Sequence, residues 1–225
     1  MTQSHFVPLH PETHSHIGVI EDAGFSHSEH VGLVSLGLHE LFDIASCMPV
    51  VIVDDSASAG VLSAMLGFPA QQNLFTQRGT WQGHTVPAHL RCYPFALGIN
   101  DGQLALMIEG NSASLSETSG TRLFASDGSL MPYGKQAKAL LEDLMLGYRQ
   151  AQRFVARLDG LNLLAPLSIQ VHYSDGTSQR IDGCQSINEK VFMQLSAEHL
   201  LSLHQDGDLV AINAMLLSLR QFNRL

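Results

Sequence analysis

Residues 135–159 read KQAKALLEDLMLGYRQAQRFVARLD. Ala137, Leu140, Leu141, Leu144, Tyr148, Ala151, Val155 and Leu158 recur there at three- and four-residue steps. That period predicts one helix with a single apolar stripe roughly 25 residues long. Downstream, Leu167, Ile169, Val171 and Tyr173 alternate with Ser168, Gln170 and His172, the period of a half-buried strand. Ser174-Asp175-Gly176-Thr177 turns that strand back toward Ile181 as a hairpin. Ser186-Ile187-Asn188-Glu189 has the spacing of a capping box ahead of a helix through Val191 to Leu195. Ser196 is placed to cap the next helix and Asp206-Gly207 to end it. Asp208 is placed to cap a last helix with Leu209, Ile212, Leu216, Leu219 and Phe222 inward.

Upstream of the long helix the period changes to that of strands. Residues 31–36 read as a strand, Leu38, Leu41, Phe42 and Ala45 as the apolar face of a short helix stopped by Pro49, and Val50-Val51-Ile52-Val53 as a buried strand. The polar turn Asp54-Asp55-Ser56 leads to a strand over 61–66, which Gly67-Phe68-Pro69 closes. Residues 93–97 and 104–109 are further strands, joined through the turn signal Asn100-Asp101-Gly102. The fold class is therefore α+β: a meander-like antiparallel or mixed sheet in the first half, packed with a mainly helical second half that holds one long helix and a β-hairpin. Residues 1–30, rich in His, Ser, Pro and Glu with little periodicity, read as a His-rich arm. Residues 31–225 read as a single domain, with a seam at the Ser-rich stretch 111–120.

With 225 residues, 45% hydrophobic and 15% charged, the chain has the material for a large core and the wrong composition for disorder. Its 12 Lys and Arg against 21 Asp and Glu give a net charge of -9. Nucleic acid is excluded as a partner, because displacing counterions from phosphates takes clustered cations. No apolar run approaches the roughly 20 residues of a membrane-spanning helix, so membrane insertion is not expected. The amino terminus has neither the cationic start nor the apolar core of a secretory signal, which predicts a cytoplasmic protein. Cys47, Cys92 and Cys184 are odd in number and far apart, as suits buried, reduced thiols.

Chemistry-bearing residues gather in two places. The first is 81–95, where Trp81, Arg91, Tyr93 and Phe95 lie among the prolines Pro87 and Pro94, which leave room for at most a turn or two of helix between them. Two readings stand: the rings line an apolar pocket in which Arg91 holds a carboxylate by two parallel hydrogen bonds, or Arg91 is a structural cation stacked on aromatics and bonded to carbonyls. The second place is the first 39 residues, the arm and the start of the domain, where His5, His10, His14, His16, His27, His30 and His39 are seven of the 12 histidines. His14 and His16 on a strand would share one side, and Glu12 could add an oxygen ligand for zinc or iron. Solvated histidines are the competing account, because no His-Glu-x-x-His helix or paired-cysteine knuckle is present. No nucleophile elbow and no Gly-rich phosphate loop appears, and a buried Cys92 thiol beside Arg91 is a poor nucleophile. No catalytic residue set emerges, and no cofactor is required.

The segment 81–95 also carries a resemblance. Leu66-Gly67-Phe68, Asn73-Leu74-Phe75, Trp81, Val86-Pro87-Ala88 with Arg91, Tyr93-Pro94-Phe95, Leu123-Phe124 with Asp127-Gly128, and Leu216-Leu217-Ser218-Leu219 ending in Arg224-Leu225 together resemble the SapC-like family. Its members are soluble bacterial proteins named after a component associated with paracrystalline surface layers, distinct from the peptide-transporter permease that shares the name. The likeness covers nearly the whole chain. It brings no established reaction or catalytic residues. Family genes lie near outer-membrane receptors, tryptophan-halogenase-like flavoproteins and cupin-like oxygenases, which implies an accessory role in uptake or modification. The His-rich arm is the expected departure from the family.

Three functions follow from these residues. The first is a non-catalytic accessory or binding protein that takes a protein partner or a small carboxylate ligand near Trp81 and Arg91. The second is a metal-dependent, oxygenase-like enzyme using the arm histidines. The third is a structural surface-layer component, which needs a dedicated export system and self-association. The apolar face of the last helix makes a homodimer a further expectation.

Overall fold

The computed structural model of the chain describes residues 5–21, 23–68, 72–172 and 175–225. In chain order its first half contains β1 (Phe6–Pro8), α1 (Pro11–His14), β2 (Gly18–Val19), β3 (Leu33–Ser35), α2 (Leu41–Ala45), β4 (Val50–Val53), β5 (Val61–Met65), β6 (Thr76–Gln77), β7 (Thr80–Trp81), α3 (Ala88–Arg91), β8 (Phe95–Asn100) and β9 (Gln103–Glu109). There follow β10 (Leu115–Ser116), β11 (Thr121–Arg122), α4 (Pro132–Gly160), β12 (Leu164–His172), β13 (Ser178–Ile187), α5 (Glu189–Phe192), α6 (Ala197–Gln205) and α7 (Asp208–Ser218). The class is α+β, as the two periodicities predict. No helix among the described residues is long and apolar enough to cross a membrane.

The main sheet has five antiparallel strands in the order β12-β13-β4-β5-β3. Its register sets Val34 opposite Ala64, Val51 opposite Ser63 and Cys184 opposite Val53. Alternation then sends Val34, Val50, Ile52, Leu62 and Ala64 to one face, where they meet α2, α4 and α7 in the largest core. Val51, Met65 and Cys184 point to the other face, which Phe222 and Leu225 of the chain end cover. The strands do not simply follow one another: β3 pairs with β5, and the late hairpin β12–β13 joins the sheet through β4. A second antiparallel sheet has the order β1-β9-β8. Its hairpin turns at Asp101 and Gly102 with φ of 50° and 76°, the left-handed pair a two-residue turn requires.

The long helix α4 serves both layers. Pro132 at its first turn supplies a preset φ where no amide donor is missed. Leu141 and Leu144 bury into the core of the three-stranded sheet, and Ala151, Phe154, Val155 and Leu158 into that of the five-stranded sheet. Gly37 and Gly147 let the helix approach the turn before α2 closely, since a Cβ on Gly147 would lie 2.9 Å from the Gly37 Cα.

Several sequence expectations are corrected. The supposedly irregular arm supplies β1, which pairs with β9, and β2, which lies between β10 and β11. The stretch 111–120 contributes β10 to that last ladder. Ser186 is no helix cap: β13 runs through it, and Asn188 caps α5 by accepting from the Val191 N–H at 3.3 Å. Asp208 does not cap α7 either. Gly207 holds the cap position at φ 81°, and the Asp208 carboxylate meets the Arg157 guanidinium at 2.6 Å. Phe42 faces solvent on α2. Val210 and Leu217 of α7 are exposed apolar side chains. Tyr173 and Ser174 of the expected hairpin, and Pro69 of the expected strand end, lie outside the described residues. All three cysteines are buried and unpaired.

Candidate functional site

Between Pro87 and Pro94 the backbone has room for one turn of helix, and α3 is that turn. A buried carboxylate fixes where it starts. Glu40 accepts the Gly37 N–H at 3.0 Å through one oxygen and the Ala88 N–H at 2.7 Å through the other. Two backbone donors that would otherwise be buried and unpaired are thus satisfied by one side chain. The turn directs Leu90 and Cys92 inward and leaves His89 and Arg91 outward.

Two cavities meet at this turn. The larger, about 350 Å³, lies where β3 and β8 part, each the edge strand of its own sheet, with α4 as its floor. Val34, Phe95, Leu97 and Leu144 give it an apolar lining. Polar tips enter it from His27, His89, Tyr93 and Tyr148. The smaller cavity, about 290 Å³, is lined by Arg91, Glu21, Ser114 and Tyr133 among others. His27, Leu90 and Tyr93 line both and so form the wall between them.

The polar groups of this region are neutral or engaged. His27 stacks on Tyr93 with centroids 4.0 Å apart and an interplanar angle of 7°. Its Nε2 donates to the Leu90 carbonyl at 3.3 Å, which leaves Nδ1 as an acceptor. Burial lowers the His27 pKa, outweighing that carbonyl bond and helped by His89. Desolvation also lowers the pKa of His89, although part of its ring is open to water. The Tyr148 hydroxyl donates to the Ser35 carbonyl at 3.4 Å and takes the His89 Nδ1 hydrogen at 2.9 Å. Burial, reinforced by Glu40, raises the Tyr148 pKa. The Cys92 thiol is pushed up to about 11 by burial, with Arg91 pulling the other way, so it is a protonated wall atom and no nucleophile. Glu109, at the rim, accepts the His5 N–H with both oxygens at 2.9 Å.

Of the four residues expected to bind a ligand, the structure brings three together. Arg91 is exposed on the wall of the smaller cavity and makes no hydrogen bond or ion pair among the described residues. The structural reading of Arg91, stacked and bonded to carbonyls, is therefore not what is seen. Tyr93 directs its ring to His27, and Phe95 presents an edge to Tyr133 at 6.1 Å. Trp81 lies apart. Its ring packs between Phe25 at 5.6 Å and Phe75 at 5.7 Å, and its Nε1 donates to the Thr85 carbonyl at 2.7 Å. It does not line the smaller cavity, although Phe25, against which it packs, does.

The proposed metal ligands do not converge. His14 ends a helix rather than sharing a strand with His16, and its Nδ1 lies 2.8 Å from Thr13 Oγ1 and 3.1 Å from the His10 carbonyl. His16 faces Glu117 at 3.7 Å, and Glu12 faces His10 at 3.9 Å. No three His, Cys, Asp or Glu side chains among the described residues form a group that could hold a metal ion. Sequence reasoning missed Glu40, His89 and Tyr148. Tyr148 had a signal, as the one stripe position of the long helix with a polar tip. The Glu40 bond to Ala88 and the His89 bond to Tyr148 had none, because those partners are 48 and 59 residues away in the chain.

No curated protein and no solved structure matches the chain. A family model, SapC, matches residues 9–225. The match takes in residues 9–30 of the His-rich arm as well as the rest of the chain. The chain belongs to the SapC family.

Proposed function

We propose that this protein is a non-catalytic binding protein that holds a small carboxylate on Arg91 and acts as an accessory to an uptake or surface system. One observation carries the reading: a solvent-facing guanidinium with no acid or carbonyl partner among the described residues stands on the wall of a cavity, beside a second, apolar cavity. A guanidinium offers a planar fork that matches a carboxylate in two parallel bonds. The surroundings favour binding over chemistry. The thiol is protonated, the nearby carboxylates Glu40 and Glu109 are occupied by backbone amides, and both imidazoles are shifted toward their neutral form. Adding acetate while following the Arg91 Nε–H resonance tests the reading: a saturable shift supports it, and a response no different from that to neutral acetamide contradicts it.

A further inference from the structure

We propose that the two cavities are one bipartite site for a monocarboxylate with an apolar body, its head on Arg91 in the smaller cavity and its body in the larger. The proposal rests on the reading that Arg91 holds the carboxylate. A single layer of side chains, His27, Leu90 and Tyr93, separates the two spaces. Two members of that layer are lightly held. His27 is half-buried, with one 3.3 Å hydrogen bond to the Leu90 carbonyl, its stack on Tyr93 and a tilted contact to the Phe25 ring at 5.9 Å. The Tyr93 hydroxyl has no hydrogen bond among the described residues. The proposal requires both rings to turn about their side-chain torsions, which would open the wall between the cavities.

The chemistry on each side sets the orientation of the ligand. The larger cavity offers Val34, Phe95, Leu97 and Leu144, and no Lys or Arg among the described residues lines it. Glu109, the one acid among the described residues that line it, would repel a carboxylate placed there. The smaller cavity holds the guanidinium, with Ser114 and Tyr133 as further polar neighbours. Glu21 on the same wall accepts from Thr121 Oγ1 and forms no ion pair with Arg91. A head group therefore belongs beside Arg91, and an apolar body gains by leaving water for the other side. At about 350 Å³ the larger cavity is at the small end of ligand sites. That size suits a medium-length acyl chain or a single aromatic ring.

Titration calorimetry of the full chain with octanoate, acetate and 1-octanol tests the proposal. Three proteins are compared: the unaltered chain, Met145→Trp, which fills the larger cavity from α4, and Arg91→Ala. Circular dichroism checks each fold. Octanoate is expected to bind at least about tenfold tighter than either acetate or octanol. Met145→Trp should reduce octanoate to the affinity of acetate and leave acetate unchanged, and Arg91→Ala should reduce octanoate to the affinity of octanol. Equal affinities for octanoate and acetate, both lost in Arg91→Ala, would overturn the bipartite site and leave the Arg91 reading standing. Equal affinities for octanoate and octanol, unchanged in Arg91→Ala, would overturn the Arg91 reading itself. Failure of all three probes to bind at millimolar concentration overturns both. If Met145→Trp does not fold, Val31→Phe fills the same cavity from the segment before β3 and is read the same way.

Discussion

Glu40 shows how one side chain fixes the local geometry of the site. Its two oxygens each take a buried backbone N–H, from Gly37 and from Ala88, and Ala88 is where α3 begins. Truncation to alanine strands both donors at a cost of roughly 1–3 kcal/mol each. Glu40→Ala is thus expected to lower unfolding stability by about 2–6 kcal/mol in urea titrations, with Glu40→Gln losing less because one acceptor remains. A loss within error of zero would mean that the clamp does not hold α3. The imidazoles give a pH signature. The His27 and His89 pKa values are lowered in the fold from the ordinary 6.5. The unfolded chain then binds more protons in the window below that value, so stability rises with pH there and is lost as pH falls through it. The melting temperature should fall between pH 7 and about pH 5.5, and fall less in His27→Gln. An identical pH profile in that variant would remove His27 as a source.

At the scale of elements, α4 is where sequence and structure agree best. The stripe read over 135–159 lies within a helix over Pro132–Gly160, because the i, i+3, i+4 period is a local property and both cores draw on it. The strand Val50–Val53 was legible for a similar reason, as a run of four apolar residues bounded by Pro49 and Asp54-Asp55. β1 and β2 were not legible. Strands of three and two residues carry no period of their own, and what makes them strands is pairing with β9 and with β10 and β11, far along the chain. Ser186 was misread because capping spacing can occur by chance inside a strand. The packing of α4 against the turn before α2 has a sharp test in its glycines. A Cβ at Gly147 would sit 2.2 Å from His39 Nδ1 and 2.9 Å from Gly37 Cα, whereas one at Gly160 meets nothing within 4 Å. Gly147→Ala should therefore destabilise by about 1–3 kcal/mol despite the better helix former, and Gly160→Ala should be neutral or mildly stabilising. Thermal unfolding of the two variants decides, and equal effects would contradict the close approach.

Over the whole molecule, two antiparallel sheets share one helix, and the larger cavity lies where the sheets part. That seam could not be read from the chain. It is made by edge strands 60 residues apart and by polar tips from the arm, α3 and α4, none of which signals the others in sequence. Arg91, Tyr93 and Phe95 lie close together because the prolines crowd them into one short segment, while Trp81, near them in sequence, belongs instead to the packing around Phe75. A net charge of -9 gives anions no general attraction to this protein, so a carboxylate has to be won locally. Arg91 is the group placed to do that. The most direct test is the Arg91 Nε–H resonance under titration with acetate, with acetamide as the neutral isostere. The account predicts a saturable shift with acetate and none with acetamide. A linear, unsaturated drift, or equal responses to both, would contradict it.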